Sequence, residues 1–191
     1  PEKAHQETSP LIYNPSKMSS TFLLRTARLM IILFFQIVVF NHIHLLGYIT
    51  PLVIGYMLVC FHRNTSRIAV LLWGFSTGFL FDIFSNTAGM AAASCTLVAL
   101  MQPALLQMFC PRDAAEDLVP TFHSLGFWSY LLYIFILMLV LHGAFYLLDA
   151  FTLIDWQLTA YSIIGGSLFT TITIVLIELI VRSRKSTSHF S

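Results

Sequence analysis

Long apolar runs separated by short polar breaks make up most of the sequence. A helix that crosses a bilayer needs about 20 mainly apolar residues, and the runs are close to this length. They predict six transmembrane helices, at Phe22–Phe40, Leu45–Phe61, Arg67–Phe84, Met90–Phe109, Phe127–Leu148 and Leu158–Val181. The predicted fold class is therefore an all-α integral membrane protein, built as a six-transmembrane-helix bundle.

The composition agrees with a membrane environment. Hydrophobic residues make up 57% of the chain and charged residues 10%, whereas an average soluble domain has roughly 45–50% and 25%. A soluble fold of 191 residues could not bury so much apolar surface. A soluble enzyme is therefore excluded, the lipid bilayer is the expected surrounding, and we expect no nucleic-acid partner.

All ten lysine and arginine residues fall on one side of this six-helix map. They precede or open the first helix, lie between helices two and three or four and five, or follow helix six. Cytoplasmic loops are enriched in lysine and arginine, so both termini are predicted to be cytoplasmic. The predicted organisation is a disordered cytoplasmic tail at 1–21, the six-helix domain at 22–181 and a basic cytoplasmic tail at 182–191.

Pro51 interrupts the second predicted helix. Only Pro51–Phe61 remains after it, about 16 Å of helix, which is too short to cross a bilayer alone. Two alternatives stay open: Leu45–Thr50 completes the crossing with a break at Gly47 or Pro51, or the second helix is short. Pro51 is therefore a candidate structural or partner-binding residue.

Three residues of the third predicted helix recur at spacing four: Gly74, Gly78 and Asp82. This spacing puts them on one face of the helix, and the glycines form a small-x-x-x-small motif that lets a neighbouring backbone approach closely. The fourth helix opens with Met90-Ala-Ala-Ala-Ser94, which is expected to supply a complementary small surface, and Gly89 and Ala93 are further helix-packing candidates. We therefore predict that helices three and four form a tightly packed hairpin.

Asp82 lies in the outer part of the predicted bilayer, where a carboxylate against lipid is disfavoured. It should therefore face protein or water. Two roles stay open: it caps the hairpin or bonds Asn86 or Thr87, or it binds a partner, since ionisable groups within membranes are often functional. Asn86 is a candidate for the same roles.

The string Gly74-Phe-Ser76-Thr-Gly78 matches the G-x-S-x-G motif of serine hydrolases. That motif needs a turn between a strand and a helix, whereas here it lies inside an apolar helix. The last predicted helix contains no histidine for an intramembrane protease. His142, deep in the fifth helix, is interpreted as a packed and hydrogen-bonded residue. We predict no catalytic residues and no enzyme activity.

His42 and His44 lie two residues apart in the first outer loop. No cysteine or carboxylate lies close in sequence to complete a metal site, so we predict no metal and no cofactor. His42 stays a candidate for partner binding or for a structural polar role. Near the opposite face, Glu178 is expected to form a local ion pair with Arg182 at spacing i, i+4.

Two stretches of the sequence resemble the same protein family. They are Asn41-His-Ile-His-Leu-Leu-Gly-Tyr-Ile-Thr-Pro51 and Gly78-Phe-Leu-Phe-Asp82-Ile-Phe-Ser-Asn86-Thr-Ala-Gly89-Met90. The second has a G-x-x-x-D core, a short turn, a glycine and a small-residue helix, and in this it resembles the rod shape-determining protein MreD family. The resemblance covers the chain from about Phe22 to Val181. The polar extension before Met18 and the many phenylalanines of the third helix depart from it.

The resemblance implies a non-enzymatic, multi-pass subunit of the bacterial cytoplasmic (inner) membrane that acts in cell elongation, the peptidoglycan synthesis that maintains rod shape. Its implied direct partner is the bitopic protein MreC. Through MreC it would be connected to the peptidoglycan synthase pair and to the actin-like MreB. The resemblance also implies a fold similar to the substrate-binding subunits of energy-coupling-factor vitamin transporters.

A vitamin-binding subunit of a membrane transporter is the alternative function, because such subunits are similar in size, span count and fold. They usually dock their transmembrane partner through an Ala-x-x-x-Ala pattern on the first helix. Phe22–Phe40 contains only Ala27 and is otherwise bulky. The sequence therefore favours a scaffold of cell-wall elongation over a small-molecule carrier.

Overall fold

A computed structural model describes residues 15–40, 51–111, 118–149 and 156–187, and within these ranges all regular structure is helical. Helix α1 covers Pro15–Phe35 and continues as a π-helix over Gln36–Phe40. A 3-10 turn, Val53–Gly55, leads into the short helix α2, Tyr56–Val59. The later helices are α3 (Arg67–Ser85), α4 (Met90–Phe109), α5 (Phe122–Leu125), α6 (Phe127–Asp149) and α7 (Trp156–Thr187).

Four of these helices are long and apolar enough to cross a membrane: Arg67–Ser85, Met90–Phe109, Phe127–Asp149 and Trp156–Ile180. They correspond to the third to sixth predicted helices. Many large apolar side chains lie on the outside of the bundle, and those of Met108 and Trp128 are 78% exposed. Such extensive apolar exposure is typical of a surface that faces lipid. The described residues thus form an all-helical structure with membrane-spanning helices, four of them where the sequence predicts six.

The start of α1 and the end of α7 differ from the predicted bounds. Helix α1 begins at Pro15, seven residues before the predicted start at Phe22, and proline suits the first turn because its missing N–H would have no partner there. Residues 15–21, which the sequence assigns to the disordered tail, are therefore helical. Helix α7 likewise continues to Thr187, beyond the predicted end at Val181.

Helix α6 is the centre of the bundle, because it packs on α4 and on α7. Its buried side chains recur every three or four residues, as expected of a helix with one face in a core. They are Tyr130, Tyr133, Ile134, Leu137, Met138, Leu141, His142 and Phe145. Since α3 packs on α4, the four long helices are neighbours in the order α3, α4, α6, α7.

The second predicted helix is short in the described residues. Three residues of 3-10 turn and four of α-helix follow Pro51, a length of about 12 Å. Its side chains are deeply buried, with Ile54 and Leu58 at 0% exposure. Irregular backbone at membrane depth is tolerated only where protein or water surrounds it, and here protein does. Residues 45–50, on which the other alternative depends, lie outside the described ranges.

Candidate functional site

Gly74 and Gly78 lie where α3 meets α4. A Cβ atom built on Gly74 would be 2.6 Å from the Cβ of Ala99 and 2.9 Å from the carbonyl oxygen of Cys95. A Cβ built on Gly78 would overlap the backbone of Ala91. Both glycines are therefore needed for the close approach of the two helix backbones, on the face that the spacing of four predicts.

The small residues that open α4 do meet α3, at Ala91 and Ala92, but Gly89 and Ala93 do not take part in this contact. Ala93 is exposed, and a Cβ on Gly89 would meet nothing within 4 Å. The reason is the register of α4, because residues 91, 95 and 99 point to α3 and position 93 lies about 200° away from position 91. Gly89 has a φ of 82°, a left-handed conformation that glycine adopts without strain.

Asp82 caps the amino terminus of α4 from the end of α3. Its Oδ1 accepts a hydrogen bond from the hydroxyl of Thr87 at 2.5 Å and one from the N–H of Ala91 at 3.0 Å. Its Oδ2 accepts from the N–H of Ala92 at 2.8 Å, and the residue is 7% exposed. A negative charge is stabilised at a helix amino terminus, where unpaired N–H groups collect. This arrangement, the hairpin cap, favours the first of the two roles that the sequence left open.

Asn86 contributes backbone geometry to the same turn. Its φ of 55° is left-handed, a conformation that asparagine tolerates better than most residues. Its N–H donates to the carbonyl oxygen of Asp82, and its side chain is exposed. Asn86 is therefore the C-cap of α3, while Asp82 caps the amino terminus of α4.

Asp82→Asn is expected to insert normally but to lower the free energy of unfolding by about 1–3 kcal/mol. Asparagine keeps one acceptor oxygen, so its NH₂ group would face an N–H donor of α4. Thermal unfolding in detergent, followed by circular dichroism, measures the change. Asp149→Asn is the matched control, because Asp149 is exposed at the end of α6. Equal losses in the two variants would contradict the capping role.

A second polar arrangement holds the start of the short helical segment. Gln36, at 0% exposure, donates from Nε2 to the carbonyl oxygen of Pro51 at 2.8 Å. Its Oε1 accepts from the N–H of Val53 at 2.7 Å. One side chain thus satisfies two backbone groups that the break at Pro51 leaves without helical partners.

His142 completes this second arrangement from α6. Its Nδ1 lies 2.9 Å from the carbonyl oxygen of Met138, which assigns the proton to Nδ1 and leaves Nε2 as an acceptor. Nε2 then accepts from the N–H of Leu52 at 3.4 Å and from the hydroxyl of Thr170 at 3.3 Å. Gln36 and His142, with the backbone of residues 51–53, are called the helix clamp. The interpretation of His142 as a packed, hydrogen-bonded residue is confirmed.

Gly166 on α7 makes room for the imidazole ring of the helix clamp. A Cβ at this position would lie 2.5 Å from Cδ2 and 2.9 Å from Nε2 of His142. Sequence analysis missed both Gln36 and Gly166. Gln36 could have been found from the sequence, because it is an amide in the middle of the first apolar run and a buried amide needs a hydrogen-bond partner.

A third buried polar pair joins α6 to α7. The hydroxyl of Tyr130 donates to a carboxylate oxygen of Glu178, which is 6% exposed. The i, i+4 spacing predicts Arg182 as the partner of Glu178, and the side chain of Arg182 lies outside the described structure. The sequence does not indicate Tyr130, because Tyr130 and Glu178 are 48 positions apart.

The hydrogen bonds of these groups join one helix or turn to another. Among the described residues, no three histidine, cysteine, aspartate or glutamate side chains lie close enough to hold a metal ion. Cys60, Cys95 and Cys110 are free thiols. His42 lies outside the described ranges, so its predicted role stays a prediction.

Comparisons of the chain with protein-family models, with curated proteins and with solved structures each find no match.

Proposed function

We propose that the chain is a non-enzymatic scaffold or regulatory subunit of the bacterial cell-elongation machinery, and that it acts in the cytoplasmic membrane by binding MreC. The resemblance of residues 41–51 and 78–90 to the MreD family suggests the machinery. The observation that supports a scaffold is that the buried polar side chains form hydrogen bonds between segments of the chain. Asp82, Gln36 and His142 all bond backbone groups of another segment, so they hold these segments in a fixed arrangement, as a scaffold requires.

The proposed topology has six crossings and both termini in the cytoplasm. The contact between α1 and the turn before α3 supports it, because Arg25 donates to Nδ1 of His62 at 3.3 Å. The basic residues of α1 therefore lie at the same end of the molecule as Arg63 and Arg67, as a single positive face requires. Labelling from outside the cell of a cysteine placed at Arg63 would contradict this orientation.

Co-expression with MreC tests the scaffold proposal. We expect MreC to be recovered with the tagged chain after solubilisation in mild detergent, in a fixed ratio that survives size-exclusion chromatography. An unrelated protein with a single membrane helix, carrying the same tag and expressed at the same level, is the control. If the control is recovered as well as MreC, or MreC is not recovered at all, the scaffold proposal fails. A tightly bound vitamin in the purified protein would support the transporter alternative instead.

A further inference from the structure

A small basic pocket lies where α1 passes the end of α2 and the turn that follows it. The pocket has a volume of about 160 Å³, and its lining includes Leu24, Arg25, Arg28, Met57, Phe61 and His62. Two arginines and a histidine thus meet apolar side chains in one cavity. None of these residues belongs to the hairpin cap or to the helix clamp.

The two arginines of this pocket lie one helical turn apart and differ in how they are held. The guanidinium of Arg25 lies 5.2 Å from the centre of the Phe61 ring and donates to His62, so its position is fixed. Arg28 is exposed. Neither arginine forms an ion pair with a carboxylate within the described ranges. Two positive charges one helical turn apart favour an anionic ligand.

The surface of α1 next to the pocket indicates which kind of anion the pocket binds. Leu24, Arg28, Ile31 and Phe35 are spaced by four, three and four residues, so they form one stripe along α1. Ile31 is 58% exposed and Phe35 is 53% exposed. An anion bound at Arg28 is therefore followed along the helix by an open apolar strip. A phospholipid has this combination of a charged phosphate and long apolar chains, whereas a free phosphate has no apolar part that could cover the strip.

We propose that the pocket formed by Arg25, Arg28 and His62 binds the phosphate of an anionic phospholipid, whose acyl chains lie along Ile31 and Phe35. The planar guanidinium groups suit phosphate oxygens, which they bind through paired hydrogen bonds. Basic residues at the cytoplasmic membrane surface attract anionic headgroups, and the proposed topology places this pocket on that side. The lipid would connect α1 to the turn before α3.

Native mass spectrometry of the delipidated, full-length protein in neutral detergent tests this site, with phosphatidylglycerol as the titrant. The wild type is expected to bind one phosphatidylglycerol more tightly than the zwitterionic phosphatidylcholine. Arg28→Gln is expected to weaken that binding about fivefold, and adding Arg25→Gln should weaken it further. Arg67→Gln is the matched control, because Arg67 is exposed at the first residue of α3, near the same end of the molecule. It should bind the lipid as the wild type does.

Several results would overturn the assignment. They are unchanged phosphatidylglycerol binding by Arg28→Gln, an equal loss in Arg67→Gln, and equal affinity for phosphatidylcholine. Displacement of the lipid by inorganic phosphate would show that the pocket takes a soluble anion, and displacement by an acidic peptide would assign it to a protein partner. Because Arg28 is exposed, its variant is expected to keep the thermal unfolding profile of the wild type. The test therefore does not depend on Arg25→Gln being stable.

Discussion

Gly78→Ala is expected to lower the free energy of unfolding by about 3 kcal/mol, near the upper end of the usual cost of an overpacked interface. The added methyl group would overlap the carbonyl oxygen of Ala91 and crowd the Cα of Ala92. Both are backbone atoms of α4, so no side chain can rotate to relieve the clash, and α3 and α4 must separate. Thermal unfolding in detergent should show the midpoint lowered by roughly 6–12 °C.

Gly143→Ala provides the matched control for this substitution. Gly143 also lies within a long helix, α6, but a Cβ built there meets no atom within 4 Å. Alanine favours the helix by about 0.5–1 kcal/mol relative to glycine, so this variant should be at least as stable as the wild type. If Gly78→Ala were equally stable, the close approach of α3 to α4 would not depend on the glycine.

Gln36→Met is expected to destabilise the protein by roughly 2–6 kcal/mol. Methionine has a similar length and fills the space of glutamine, so the main change is the loss of two hydrogen bonds. The carbonyl oxygen of Pro51 and the N–H of Val53 would both be left buried without the partner they have now. A buried polar group that loses its partner costs about 1–3 kcal/mol.

Two measurements separate this effect from a general loss of stability. Thermal unfolding reports the overall change, and the rate at which a thiol reagent modifies Cys60, which ends α2, reports local opening of the short segment. Gln107→Met is the control, because Gln107 is an exposed glutamine on α4 and its replacement should change stability by less than about 0.5 kcal/mol. Unchanged Cys60 reactivity in Gln36→Met would show that Gln36 does not hold the short segment.

Apolar patterning was sufficient to locate the four long helices. The predicted helix Met90–Phe109 has the bounds of α4, and Arg67–Phe84 ends one residue before α3 does. The face of α3 that carries Gly74 and Gly78 also followed from spacing alone. These features depend on interactions within one helix or between neighbours in sequence, so a single sequence contains the information.

Features that depend on distant partners could not be obtained in this way. The helix clamp joins Leu52 to His142 across 90 residues, and a lone histidine in an apolar run does not reveal its partner. Ala93 was predicted to lie on the face of α4 that contacts α3, but this face cannot be read from the sequence. The first turn of α4 has alanines in several directions, and only the packing against α3 determines which of them are buried. The predicted start of α1 at Phe22 is later than the observed start at Pro15. The reason is that the polar residues before Phe22 continue the helix that the apolar run forms.

The helix clamp also constrains the order in which the protein can be assembled in a membrane. The break at Pro51 leaves the N–H groups of Leu52 and Val53 without helical partners, and hydrocarbon cannot satisfy them. Gln36 has already been synthesised when this segment leaves the ribosome, but His142 follows 90 residues later. The segment therefore cannot reach its final position by partitioning into lipid alone. We expect it to remain in a hydrated or protein-lined environment until α6 has been inserted beside it.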